Sequence, residues 1–458
     1  MSIIPRRRFL GAQILLLVVV LMLHPPVFTL NQASTWSQTY GGREDDRAWA
    51  LIQTTDGGYA LAGTTTSYGA GGIDWWLVKT DNNGITQWNQ TYGGREDDEA
   101  FALIQTTDGG YALAGTTTSY GTGGVDSWLV KTDSNGITQW NQTYGGENDV
   151  IWALIQTTDE GYALAGTAYS DGANQYDFWL VKTDSNGITQ WSQTYRKNGS
   201  DWTQAFIQTT DEGYALAGDT MSGDFWLVKT DSNGITQWNR TYGGEEYDLV
   251  WALIQTTDEG YALAGMTTSY GAGRSDFWLV KTDRNGIAQW NRTYGGEWLD
   301  YAQALIQTTD GGYALAGTTS YNEWNSDFWL VKTDNNGIAQ WNRTYGGEEY
   351  EHAFALIQTT DGGYALAGET TSYGVGMSDF WLVKTEGMGF STTSTKMEGI
   401  PFLNTVLWYL TLVVIGSSAG LLTSRPVYRR YNKWRQERAS SKALRERVNN
   451  LRERILDK

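Results

Sequence analysis

Short apolar runs alternate with polar turns along most of the chain, and they return at an almost constant spacing. In the central copy, Phe225–Thr230 (FWLVKT) is apolar and rich in aromatic and β-branched residues. The next four residues, Asp231-Ser232-Asn233-Gly234, are turn chemistry, and residues 235–242 (ITQWNRTY) again have strand composition. Asn-Gly supplies positive φ at little steric penalty, so the chain reverses tightly there and the unit reads as a β-hairpin. The tryptophan of the first run falls at 76, 128, 179, 226, 278, 329 and 381, seven copies at steps of 52, 51, 47, 52, 51 and 52 residues.

Each period holds four such runs. In the second unit they are residues 88–92 (WNQTY), 102–108 (ALIQTTD), 109–115 (GGYALAG) and 128–132 (WLVKT), with an acidic Gly-Gly loop at 93–98 and a variable loop at 116–126. ALIQ and WLVK are continuous apolar runs rather than alternations, the pattern of sheets covered on both faces. Seven four-stranded sheets, each covered by its neighbours, describe an all-β, seven-bladed β-propeller over residues 34–386. The seventh copy stops at Thr385 without a QWNxTY strand, whereas residues 36–40 (WSQTY) are such a strand with no hairpin before them. Trp36 and Tyr40 are therefore expected to complete the last blade and close the ring. An open solenoid would need polar caps that the sequence does not show.

The motifs GGYALAG, FWLVKTD and NGIxQWNxTYGG, over residues 36–385, resemble β-propeller repeat proteins of prokaryotic, mainly archaeal, cell surfaces. That resemblance implies the propeller fold and exposure at the surface, and it leaves activity open. The Gly-x-x-x-Trp spacing, as in Gly234 to Trp238, is also similar to the tryptophan-docking motif of quinoprotein propellers.

The flanks carry a different pattern. Arg6, Arg7 and Arg8 precede an apolar run from Phe9 to Leu23, which reads as a secretory signal peptide over residues 1–33. Cleavage near Ala33 and retention as an uncleaved anchor are both open. Residues 387–399 form a polar stalk, and residues 400–424 are apolar and long enough to cross a bilayer of roughly 30 Å. Arg425, Arg429, Arg430, Lys433 and Arg435 follow at once. By the positive-inside rule, the basic tail (425–458) is expected in the cytoplasm and the propeller outside. Leu444, Val448, Leu451 and Ile455 make a short helical seam, read either as a homodimer contact through 444–455 or as a helix lying on anionic lipid.

The net charge of −18 hides an asymmetry. Residues 425–458 carry 12 Lys/Arg against 4 Asp/Glu, and residues 31–424 carry 18 against 47, a net of −29. Such a surface repels nucleic acid and favours cations or basic partners. The chain has no cysteine, so disulfides and thiol chemistry are excluded.

Only two histidines exist, His24 in the signal segment and His352, so a His-rich metal site or a triad repeated across blades is excluded. His352 is expected in a solvated loop. Consecutive acids such as Glu96-Asp97-Asp98 and Glu348-Glu349 could serve as a glycosidase pair, but read more simply as a solvated face. No residue is assigned a catalytic or cofactor-binding role. Calcium is an expectation of the acidic loops, with Asp97, Asp98, Asp149, Asp248 and Asp300 as candidates, while Asp81-Asn82-Asn83-Gly84 reads as a hairpin turn. Asn89, Asn141, Asn198, Asn239, Asn291 and Asn342 lie in glycosylation sequons, five of them at one place in the Trp strand.

The loops leaving the second and fourth strands should emerge on one face, and the two tight hairpins on the other. Variation among the copies is concentrated in the first set, GGREDD, GGENDV, GGEWLD and the SYGAGG-type loops. The sequence is thus read as a cell-surface binding or adhesion module presenting a multivalent acidic loop face to an extracellular protein or glycan. A receptor coupled to the basic tail is the alternative, and a carbohydrate-active or quinone-dependent enzyme comes third.

Overall fold

The structure is a computed structural model that describes residues 35–386, apart from 147, 171–173, 198 and 323–324. The expected signal peptide, stalk, membrane span and tail lie outside the described residues. Among the described residues every regular element is a strand. No helix long and apolar enough to cross a membrane occurs there.

Strand β1 (Trp36–Tyr40) is followed by β2 (Asp46–Gln53), β3 (Tyr59–Thr65), β4 (Asp74–Thr80) and β5 (Thr86–Tyr92). Strands β2 to β5 pair in sequence order as an antiparallel sheet, blade one. Five further blades repeat this order. The seventh takes three strands from the end of the chain and its fourth from the beginning: β1 pairs with Asp379–Lys384, from Trp36 opposite Lys384 to Tyr40 opposite Phe380. The expected closure by Trp36 and Tyr40 is therefore the observed one.

The core is not one mass. Seven apolar clusters fill the gaps between successive blades, each drawing residues from two of them. This is why the second and third strands of blade one, YALAGTT and DWWLVKT, are buried at every position. The innermost strand, DRAWALIQ, is only half-buried. Innermost strands of adjacent blades meet one another around the axis, so the ALIQ run has a neighbour on one side and the ring's centre on the other. A bulge in β2 between Ala48 and Ala50 sets Trp49 out of register. Its ring centroid lies 4.2 Å from that of Phe354 in blade seven and 5.9 Å from that of Phe101 in blade two.

Among the described residues three contacts recur around the ring, the second of them at all seven blade boundaries and the first and third at six each. The aromatic just after the aspartate at the head of one third strand packs on the tryptophan of the next, as with Trp75 on Trp128 (4.5 Å), Phe225 on Trp278 (4.6 Å) and, across the closure, Phe380 on Trp76 (4.8 Å). The tryptophan of each outer strand meets the tyrosine that begins the next blade's second strand edge-on, as in Trp36 with Tyr59 at 5.9 Å and Trp88 with Tyr111 at 5.7 Å. The outer-strand tyrosine donates its hydroxyl to the glycine carbonyl of the next blade's Asn-Gly turn: Tyr40 to Gly84, Tyr92 to Gly136 and Tyr144 to Gly187, each at 2.7 Å. Gln53 adds a fourth contact at the closure, accepting from the Thr360 amide at 3.0 Å.

Gly84 has φ of +77°, and a Cβ there would stand 2.5 Å from Cζ3 of Trp36. Gly57 has φ of +85° but open space around it. Glutamates 160, 212 and 259 occupy the equivalent of Gly57 in three blades with φ of 64–65°. Gly57→Ala is expected to destabilise by about 1 kcal/mol, the usual penalty of an L-residue in this region. Gly84→Ala should lose at least about 1 kcal/mol more, because the Trp36 ring must also move. Denaturant unfolding of both variants checks this. Deleting residues 31–45 should lower the melting temperature far more than deleting a similar length within 387–399.

Candidate binding face

The two ends of the blades are built differently. On the hairpin end, seven buried lysines, Lys79, Lys131, Lys182, Lys229, Lys281, Lys332 and Lys384, each pair with the aspartate of a Thr-Thr-Asp turn at 2.8–2.9 Å. Burial pushes the Asp56 carboxyl up, but the Lys79 ammonium and Thr54 hydroxyl bonded to it outweigh that and leave it at about 2. In the second hairpin, Asp81 Oδ1 accepts the amides of Asn83 and Ile85, both at 2.8 Å, so this Asp-Asn-Asn-Gly run is a turn. The copies cannot drift on this end without breaking these contacts.

On the other end, the loop entering each innermost strand bonds to the loop between the second and third strands. Thr66 donates its amide to Asp45 O at 2.9 Å, and the Glu44 amide donates to Ser67 Oγ at 3.0 Å. The acid that opens the innermost strand is folded inward beneath these loops. Asp98 Oδ2 accepts from the Gly94 amide and Ser119 Oγ, both at 2.8 Å. Asp248 Oδ2 accepts from the Gly244 amide at 2.8 Å and Ser269 Oγ at 2.9 Å. Asp300 Oδ2 takes the Gly296 amide at 2.9 Å. Asp149 takes the amides of Gly146 and Tyr169, both at 2.7 Å. Four of the five calcium candidates are thus buried and hold loop backbone, and only Asp97 is exposed, accepting the Ile73 amide at 3.0 Å. Among the described residues no group of three or more His, Asp or Glu side chains is placed to hold a metal ion.

A second acid, at the start of each third strand, comes close to the first across a loop glycine. Asp379 and Asp46 flank Gly41, Asp74 and Asp98 flank Gly93, and Asp276 and Asp300 flank Gly295. Burial, reinforced by the neighbouring carboxylate, raises Asp74, Asp300 and Asp379 above the usual carboxylate range. At the boundary of blades three and four the glycine is replaced by Arg196, whose guanidinium bonds Asp177 through Nε at 2.7 Å and Nη2 at 2.5 Å.

His352 is not in a solvated loop. It lies half-buried in the innermost strand of blade seven, Glu351–Gln358, with Nδ1 3.3 Å from Glu369, which also takes Arg47 at 2.7 Å. Sequence reasoning missed it because the residue before Ala353 looked like the end of an acidic loop rather than the second position of a strand. His352 lines a hollow of about 180 Å³ across blades five to seven, with Arg274, Trp298, Tyr301 and Tyr350 among its walls. Arg274 sits over the Trp298 ring at 4.8 Å. These positions are where the copies depart together from the repeat, the one signal that could have found them. A shallower hollow of about 340 Å³ is walled by Glu348, Glu349, Ser372 and Tyr373 of blade seven.

Of the sequon asparagines, Asn198 lies outside the described residues. Asn89, Asn141, Asn239, Asn291 and Asn342 are exposed on outer strands. The Oδ1 of each accepts the indole N–H of the third-strand tryptophan of its own blade, from Trp128 to Asn141 at 3.1 Å to Trp278 to Asn291 at 3.4 Å. In blade three Ser192 takes the same bond from Trp179 at 2.8 Å. The polar residue at this place is thus an acceptor that the tryptophan requires.

The fold and its repeated boundaries define a seven-bladed β-propeller of four-stranded blades with one uniform and one varied end. No family model matches the chain. The Myxobacterial hemagglutinin of Myxococcus xanthus is 27% identical to it over 237 residues, covering 42% of this chain and 88% of that protein. Among solved structures, Sqt1 from Chaetomium thermophilum is similar with a TM-score of 0.45 at 12% identity, covering 77% of this chain and 98% of that one. The WD40 domain of Pan2 from Neurospora crassa has a TM-score of 0.49 at 10% identity, covering 75% and 90%.

One buried acid stands apart from the pairs. Asp219, on the second strand of blade four, is pushed by burial up to about 8, although the Val250 amide donates to it at 2.8 Å. Its folded value lies above its unfolded one, so its contribution to stability is complete below the unfolded value and is lost as pH rises through about 8. Raising the pH from about 6 to about 9 should therefore lower the melting temperature of the native chain more than that of Asp219→Asn. Equal shifts in scanning calorimetry would contradict this.

Proposed function

We propose that this chain is a cell-surface binding and adhesion module. The propeller stands outside the membrane on a C-terminal span and presents its varied loop end to an extracellular glycan or protein. One observation carries the reading: both hollows lie among the loops that differ between copies, while the opposite end is seven copies of one Lys–Asp turn. Loops on a rigid scaffold are where binding residues concentrate. The hemagglutinin likeness supports it, because that protein's name describes cell binding. The resemblance of GGYALAG and FWLVKTD to prokaryotic surface propellers supports the extracellular placement.

Similar loops arranged around one ring act together, so individually weak contacts add to useful avidity. The basic tail beyond residue 425 anchors the protein on the cytoplasmic side, and residues 444–455 are the place for a homodimer contact. The five exposed sequons on outer strands would place glycans along edges that could otherwise pair with another chain. Their Oδ1 is turned to tryptophan, which leaves Nδ2, the atom that carries a glycan, free to face outward.

Full-length chain reconstituted in vesicles should capture or agglutinate cells, and protease added outside intact producing cells should remove the propeller while sparing the tail. Vesicles that capture no cells, or a propeller protected on intact cells, would overturn the reading. Peptide mass mapping should find added mass at Asn89 that the substitution Asn89→Ser removes without changing the melting temperature, because serine is the native acceptor in blade three.

A further inference from the structure

Four blades share a feature that the varied loops otherwise lack. Blades one, two, five and seven each carry a Ser-Tyr-Gly segment after the second strand, with Tyr68, Tyr120, Tyr270 and Tyr373 exposed to 45, 44, 44 and 44%. Each ring is fixed at three points. Its hydroxyl donates to the carbonyl of Gly41, Gly93, Gly243 or Gly346 at 2.7–2.9 Å. Its own amide donates to a threonine Oγ1 at 3.1–3.2 Å. One face leans on the third-strand tryptophan, with centroids 5.1–5.4 Å apart. The serine beside each tyrosine accepts the amide of Glu44, Glu96, Glu246 or Glu349 at 3.0–3.1 Å. A glutamate is thereby held at the same place beside each ring.

We propose that these four tyrosines are equivalent sugar-stacking platforms that together bind an uncharged polysaccharide. The proposal rests on the binding reading above and names its ligand. A pyranose offers an apolar C–H face that matches the electron-rich face of an aromatic ring, and its hydroxyls are donors that the flanking carboxylates accept. The rings are ordered before any ligand arrives, so stacking does not have to immobilise them. Their chemistry is constant among loops where the residue two places on is Ala70, Thr122, Ala272 or Val375.

Blades seven, one and two are neighbours in the ring, and three platforms in an arc suit a chain of repeated sugars better than a single one. Each contact is weak, and several along one polymer raise avidity. The net charge of −29 over residues 31–424 turns polyanions away, which selects uncharged glycans. The shallow hollow at Tyr373, about 340 Å³ and walled by Glu349 and Ser372, is one such platform with its rim.

The test uses full-length chain in detergent micelles on beads, probed with cells before and after periodate oxidation of their glycans, and with soluble mannan, dextran and hyaluronan. Cell capture should be lost after periodate, and mannan or dextran should be retained where hyaluronan is not. Replacing Tyr68, Tyr120 and Tyr373 together by alanine should weaken capture by about tenfold or more, within the range avidity supplies. The matching phenylalanine variant keeps the ring and should stay within about threefold. Undiminished capture of periodate-treated cells, or retention of hyaluronan alone, would overturn the sugar proposal and leave adhesion standing. No capture of any cell would sink both. Should the alanine variant fold poorly, nitration of the native chain decides: mannan or dextran must protect these tyrosines from tetranitromethane, and unaltered nitration contradicts the proposal.

Discussion

The structure depends on one contact made at six of the seven blade boundaries: a tryptophan ring laid on the glycine of the next blade's turn, with a tyrosine hydroxyl bonded to that glycine's carbonyl. Trp36 and Tyr40 do this to Gly84. The glycine must be glycine twice over, because its φ is positive and because a side chain would occupy the space of the ring. A single blade cannot cover its own faces, so this contact turns seven marginal sheets into one body. Blade seven has no turn of its own to continue into, since its fourth strand comes from the start of the chain. At the boundary of blades six and seven, Trp341 still meets Tyr364 at 5.8 Å and Phe328 meets Trp381 at 4.6 Å. The closure thus repeats the rule at its own boundary with blade one, through Trp36 with Tyr59 and Tyr40 with Gly84.

That rule divides the molecule's two ends. The turns that receive the tryptophan, and the Thr-Thr-Asp turns beside them, are held by buried lysines and by glutamine bonds between blades. Changing one copy would loosen two blades. The opposite loops are held from beneath by inward-facing carboxylates, so their tips can change without loss of support. The blade three to four boundary shows how far this goes: a whole Gly-Gly loop is replaced, and Arg196 supplies by charge what the glycine supplied by size. A binding surface can therefore diversify on one end of a ring whose geometry is kept by the other.

Much of this was legible in the sequence, because the same physical requirement is written seven times. The period, the four strands, the Asn-Gly turns and the orphan WSQTY strand led to a closed ring, and Trp36 and Tyr40 are where they were expected. What was not legible concerns direction. The continuous apolar run ALIQ reads like WLVK, yet only the packed ring shows that one borders the axis while the other is sealed between neighbours. Asp98, Asp149, Asp248 and Asp300 looked like solvated loop acids, but three of them open a strand, Asp149 directly precedes one, and all four turn under their loops, a distinction of one residue in register. The sequon asparagines looked like glycan acceptors or chance, and the indole N–H bond that gives them a structural purpose appears only when the third and fourth strands are paired. His352 was placed in a loop for the same reason of register.

Hydrogen exchange of the native chain tests the closed ring most directly. If residues 36–40 are the outer strand of blade seven, the amides of that segment that bond to Asp379–Lys384 should be protected within about tenfold of those in Thr86–Tyr92, the outer strand of blade one. Exchange of residues 36–40 at the rate of an unstructured terminus, with blade one fully protected, would show that the ring is open and contradict the account.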